Sequence, residues 1–157
     1  GVSEVHFIFG STLFLLFGAA PAAFGLSIAL LIQGLLFAPF DLPQYGMNLT
    51  TLMAPLFALS VGAKRVIAPD TAYVDISYKQ ALALSTAYQA GIVAWVAFWV
   101  FYGQGFTAST LSSVLTFGMA YMMVVLIEPL VDLAVLAGAK SLRDLTSSQL
   151  FNRRLLG

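Results

Sequence analysis

An all-α, polytopic transmembrane helix bundle is the fold class the sequence predicts, with about five segments and the C-terminus in the cytoplasm. Three observations carry this expectation. The 157 residues are 60% hydrophobic and only 9% charged, against about 45–50% and about 25% in soluble domains. A soluble fold of this size has too little interior to hide that much apolar surface. The charges are also confined: residues 5–40 hold one ionisable side chain, His6, and residues 42–63 and 80–127 hold no charged residue. About 18 uncharged apolar residues already suffice for a spanning helix. Third, the seven basic residues all fall on one side once the segments alternate. Lys64, Arg65 and Lys79 lie between the third and fourth segments, and Lys140, Arg143, Arg153 and Arg154 lie in the tail. Basic residues concentrate in cytoplasmic loops, so that side is the inner one, and the chain is expected to cross the plasma membrane several times.

Helix breakers divide the apolar sequence into a single transmembrane domain with segments at about 5–18, 21–38, 46–63, 77–102 and 107–139, followed by a cytoplasmic tail over 140–157. Gly18 to Pro21 reads as a turn, with Pro21 suited to the start of the second helix. The run Pro39-Phe40-Asp41-Leu42-Pro43 closes that helix, and Pro55 predicts a kink in the third. At 1.5 Å per residue, about 20 residues cross a hydrocarbon core of about 30 Å. The last four segments satisfy this. The first does not: from Ser3 to Gly18 it spans 16 residues, or about 24 Å. It therefore either enters the membrane part-way or continues a segment that begins ahead of this chain. The run has no basic n-region or small-residue cleavage pattern, so it does not read as a signal peptide.

Small residues recur four apart in the fourth segment, at Ala83/Ala87, Ala87/Gly91 and Ala90/Ala94, and again at Ala134/Gly138 in the fifth. Such faces let helices approach closely in lipid. Packing within the chain's own bundle and docking of a second membrane subunit both fit. Trp95, Trp99 and Tyr102 mark the outer end of the fourth segment as an interfacial aromatic belt.

Few residues can carry chemistry. His6 is the sole histidine, at the entry of the short first segment. Imidazole is a common metal ligand, but one imidazole does not make a site, and an interfacial histidine is the plainer reading. Glu128 and Asp132 are four apart on the fifth segment and share a face. Carboxylates inside a membrane are costly and face protein or water. A structural partner among Lys64, Arg65 and Lys79, or coupling to another subunit, would account for them. Asn48, Thr50 and Thr51 at the outer end of the third segment, with Gln33 of the second, could line a cavity or make interhelical hydrogen bonds. Cysteine is absent, which excludes disulfides and thiolate metal sites. The sequence shows no Walker-type phosphate loop, no Ser/His/Asp set and no basic patch for nucleic acid. An enzyme is not expected, and neither is an organic cofactor.

The stretch from Val5-His6 through Leu16-Phe17-Gly18-Ala19-Ala20-Pro21-Ala22-Ala23-Phe24, on into Leu30-Leu31-Ile32-Gln33-Gly34-Leu35-Leu36-Phe37 and Tyr45-Gly46-Met47-Asn48, resembles the substrate-capture (S) components of energy-coupling-factor transporters for cobalt and nickel, the CbiM/NikM group. That family has a histidine, a Gly-Pro-small-residue turn, an apolar helix with Gln near its end and a Gly-x-Asn opening the next helix. A weaker match lies at Ile127-Glu128, where the family carries a Glu in its last helix. The resemblance covers most of residues 5–138.

The resemblance implies a bundle that captures Co²⁺ or Ni²⁺ from outside. In the family the ion is held by the N-terminal amine and the histidine of a Met-His start, together with a histidine further along. His6 matches the latter by position, with Asn48 as a second candidate metal-site residue. Gly1-Val2-Ser3 departs from the Met-His start, and family members are longer, which leads to the expectation that the N-terminal part is missing from this chain. The implied partners are a transmembrane coupling subunit and cytoplasmic ATPase subunits, which would hydrolyse ATP. The alternative is a non-transporting structural or accessory subunit of a larger membrane complex with a transporter-like fold.

Overall fold

Glycines and prolines set the element boundaries. A computed structural model describes residues 7–147, within which helix α1 spans Gly10–Phe17. Gly18 follows with φ +87°, a left-handed turn open to glycine, and α2 runs over Ala19–Leu36 with Pro21 in its first turn. A 3-10 turn over Pro39–Gln44 leads into α3, Tyr45–Val66, with Pro55 inside it. The chain then passes through a loop into α4, Tyr78–Gln104, whose start carries a capping box between Ser77 and Gln80. Gly105, φ +73°, ends α4, and α5 occupies Ala108–Ser147 with Pro129 in its interior. The 40-residue α5 thus continues through 140–147, part of the stretch expected as a tail. Arg153 and Arg154 lie outside the described residues, as does His6.

Four of these elements, Ala19–Leu36, Pro39–Val66, Tyr78–Gln104 and Ala108–Thr146, are long and apolar enough to cross a membrane. Helix α1, with 8 residues, covers only about 12 Å. It is a partial helix lying against α2 and α4.

Helix α4 is the hub, packed between α3 and α5, while α2 packs on α3 and α1. Leu56 and Leu59 of α3, Ala81, Leu84, Tyr88 and Ile92 of α4, and Tyr121, Val124 and Leu136 of α5 form the core. Large apolar side chains such as Phe24, Ile28, Phe57, Leu115, Met119 and Leu126 point outward, the pattern expected where the surrounding solvent is lipid.

The small-residue stripe requires a correction. Ala83, Ala87, Ala90 and Ala94 are exposed, as are Ala134 and Gly138, so these positions do not make the internal packing face. The buried face of α4 carries Leu84, Ser85, Tyr88, Gln89 and Ile92 instead. Gly91 alone serves close approach: a Cβ there would stand 2.8 Å from Pro55 Cβ. Large residues fill the interface elsewhere because α4 must also reach across to α1 and α5.

At the basic end, Arg143 of α5 pairs with Asp75 at 2.6 Å, and Lys140 donates to the Val74 carbonyl at 2.7 Å. These bonds tie the α3–α4 loop to α5. Burial, followed by the negative charge of Asp132, raises the Tyr73 phenol above its ordinary range in that loop.

Candidate functional site

Glu128 and Asp132 occupy the interior of the bundle, 0% and 1% exposed. Their spacing puts both on the face of α5 that meets α1 and α4. One Glu128 oxygen, Oε1, accepts the backbone N–H groups of Ile8 and of Phe9, the latter at 3.1 Å. The other, Oε2, accepts from the Gln89 amide of α4. Gln89, itself 0% exposed, accepts in turn from the Tyr121 hydroxyl at 2.9 Å through its Oε1. One turn along, Asp132 accepts from the Ser11 hydroxyl at 2.6 Å and from Thr12. Ser11 Oγ lies 3.2 Å from Ser85 Oγ of α4.

The two carboxylates therefore receive the N-terminus of α1. A helix start leaves N–H groups without intrahelical partners and carries partial positive charge. Phe9, the residue before α1, has no side-chain cap of its own. Glu128 accepts the N–H of the N-cap residue Phe9 and of Ile8 before it, and Asp132 holds the hydroxyls of the first turn. This arrangement gives a helix that begins among the spanning helices, alongside Gln89 near the midpoint of α4, polar partners at its start. The fit is close: a Cβ at Gly10 would stand 2.3 Å from the Tyr88 hydroxyl oxygen.

These partners replace the cationic ones considered from sequence. Lys64, Arg65 and Lys79 are exposed near the basic end, whereas Glu128 and Asp132 are engaged by neutral donors. Ser11, Thr12, Ser85, Gln89 and Tyr121 were not singled out by the sequence reasoning. One signal was available: Ser85 and Gln89 are polar residues four apart in an uncharged apolar run, the same spacing as Glu128 and Asp132.

Beside this cluster lies a cavity of about 110 Å³, lined by Ile8, Leu30, Asn48, Thr51, Ile92, Phe117 and Tyr121 among others. Of the residues expected to line one cavity, Asn48 and Thr51 meet here. Gln33 borders a separate, narrow crevice with Asp41, Leu42 and Tyr45. Thr50 is exposed, donating to the Met47 carbonyl at 2.8 Å and accepting from the Trp95 indole N–H at 3.4 Å. Thr50 is kept from the cavity by helix phase, since Thr51 and Asn48 are three apart and share the inward face of α3. Gln33 lies on the same face of α2 as Ala29 and Leu30 but one turn further along, where that face meets Leu42 and Tyr45. His6 lies outside the described residues, two positions before Ile8. Among the described residues, no three His, Cys, Asp or Glu side chains come together as a metal cluster.

A protein-family model described as the cobalt uptake substrate-specific transmembrane region, CbiM, matches residues 1–144. No curated protein and no solved structure gives a match. The family match takes in nearly the whole chain, from the segment carrying His6 through the Glu128 cluster. With four helices of spanning length and a membrane-embedded polar core, the chain belongs to the cobalt uptake substrate-specific transmembrane family and is a multi-pass component of cobalt uptake.

Proposed function

We propose that this protein is the ion-capture component of an energy-coupling-factor importer for cobalt or nickel, working with a transmembrane coupling subunit and cytoplasmic ATPases in the plasma membrane. The observation that carries the reading is the family match over residues 1–144. The cavity bordered by Ile8, Asn48 and Thr51 supports it. In this reading the ion is cargo. His6 supplies an imidazole nitrogen and Asn48 an amide oxygen, with the remaining donors coming from a Met-His start of the family type.

A borderline divalent ion of this kind favours imidazole and amine nitrogen. A cavity of about 110 Å³ with mostly apolar walls has room for a small ion and a few waters. The carboxylates are not assigned to the donor set, because neither borders the cavity and both are held by donors at Ile8, Phe9, Ser11, Thr12 and Gln89. Positive-inside orientation puts Asn48, at the start of α3, on the outer side. Capture then proceeds from outside, and energy for release inward comes from the partner ATPases.

The test is calorimetric titration of Co²⁺ into the protein purified at its natural length, with and without His6→Ala. Losing a group that merely supports a ligand costs about 10–100-fold in metal affinity, so loss of a ligand is expected to exceed about 100-fold. Unchanged affinity in the variant removes His6 from the site.

A further inference from the structure

Glu128 connects two walls of the same cavity. Its Oε1 holds the amides of Ile8 and Phe9, and Ile8 borders the cavity two residues after His6. Its Oε2 holds Gln89, and Gln89 holds the hydroxyl of Tyr121, which borders the cavity from α5. The backbone at this junction needs holding. Phe9 has φ +54°, a left-handed conformation that a bulky side chain adopts only when its surroundings impose it. The bonds from Glu128 to the Ile8 and Phe9 amides fall on this residue and the one before it.

We propose that Glu128 is a positioning residue of the ion-binding site, which fixes from α5 the backbone that follows His6 and, through Gln89, the Tyr121 wall of the cavity. This rests on the reading of His6 as an ion ligand. Glu128 does not itself border the cavity and holds residues that do, so it acts through its neighbours and not on the ion.

The chemistry of the chain of bonds explains the carboxylate. Three N–H donors converge on one side chain, and an ionised carboxylate is an acceptor at every lone pair. A Gln at this position can offer its oxygen to the two amides only by turning its NH₂ toward Gln89, which must then flip its own amide and make the Tyr121 hydroxyl an acceptor in place of a donor, reversing the chain of bonds. Exchanging both residues keeps a carboxylate in the chain and leaves the Tyr121 hydroxyl a donor. In Glu128→Gln/Gln89→Glu, the new amide oxygen accepts from Ile8 and Phe9, its NH₂ donates to the carboxylate at 89, and that carboxylate accepts from Tyr121. Every bond is regained with the charge moved to α4.

The experiment uses the protein at its natural length and measures Co²⁺ affinity by calorimetry and the visible d–d spectrum of the Co²⁺-saturated protein. Glu128→Gln is expected to weaken Co²⁺ binding by about 10–100-fold and to shift the d–d band, which reports ligand geometry and is unmoved by a change in stability alone. The double exchange is expected to return both readouts toward the wild type. If Glu128→Gln leaves affinity and band unchanged while His6→Ala abolishes binding, the positioning role is wrong and the ligand reading stands. If His6→Ala leaves binding intact, the underlying reading fails and the proposal with it. If the folded double exchange is no better than Glu128→Gln, the hydrogen-bond chain is not the route, and Glu128 acts as a ligand. Should Glu128→Gln not fold, Tyr121→Phe severs only the far end of the chain: a shifted band and weakened binding support the proposal, and wild-type behaviour of both overturns it.

Discussion

Two carboxylates in an apolar bundle are tolerable here because each is surrounded by donors. Glu128 takes two backbone amides and a side-chain amide, and Asp132 takes two hydroxyls. Removing them is expected to have unequal effects. Glu128→Ala removes the acceptor of the backbone N–H groups of Ile8 and Phe9, with an expected loss of about 1–3 kcal/mol per unsatisfied donor. Asp132→Ala frees hydroxyls that rotate, toward Ser85 or toward carbonyls one turn back, so the cost is expected near the average of about 0.6 kcal/mol for a hydrogen bond in a membrane bundle. Reversible unfolding in detergent measures both, and equal destabilisation by the two variants contradicts the account. At this scale the sequence revealed that Glu128 and Asp132 share a face and are anomalous. It did not reveal their partners, because Ile8 lies 120 positions away and Gln89 lies 39, and no local pattern links residues so far apart.

Glycine separates the packed interfaces from the lipid-facing ones at the level of the helices. A Cβ at Gly91 collides with Pro55 where α4 crosses α3, whereas a Cβ on Gly118 of α5 meets nothing within 4 Å. Gly91→Ala is therefore expected to destabilise the bundle by about 1–3 kcal/mol through overpacking. Gly118→Ala is expected to be neutral or to stabilise by up to about 1 kcal/mol through helix propensity. Unfolding midpoints of the two variants, compared in one detergent, check the contrast. The four-residue spacing of small side chains drew Ala83, Ala87, Ala90, Gly91 and Ala94 into one stripe, and the structure keeps only Gly91 in an internal crossing. Spacing identifies a face; which neighbour covers that face is a property of the assembled bundle. Segment length was more telling. A first segment too short to cross has a physical counterpart in α1, a partial helix whose free N-terminus is received by side chains of α5.

Across the whole molecule, the charge asymmetry predicts an orientation with the basic end inside, and this can be tested directly because the chain has no cysteine. A cysteine replacing Ala68, in the α3–α4 loop, is expected to react with a membrane-impermeant maleimide only after the membrane is opened. One replacing Gln104, at the far end of α4, is expected to react in intact cells. The reverse pattern refutes inward placement of the basic end and, with it, capture of the ion from outside through the Asn48 side. The loop at the basic end is also fastened to α5 by Arg143, Asp75 and Lys140, so two of the seven basic residues also hold that end of the bundle together.

The class of protein, the glycine and proline breaks between its helices and the end that carries the positive charge were legible in the sequence alone, whereas the extent of α5 beyond 139 was not. Those properties follow from transfer free energies and backbone preferences, which act residue by residue along the chain. The tertiary structure decided what the buried polar groups do. It joined Glu128 to Ile8, Phe9 and Gln89, put Asn48 and Thr51 on one cavity wall, and left Gln33 and Thr50 elsewhere. A polar group within an apolar bundle must find a partner, but the identity of that partner is fixed only when helices distant in sequence come together.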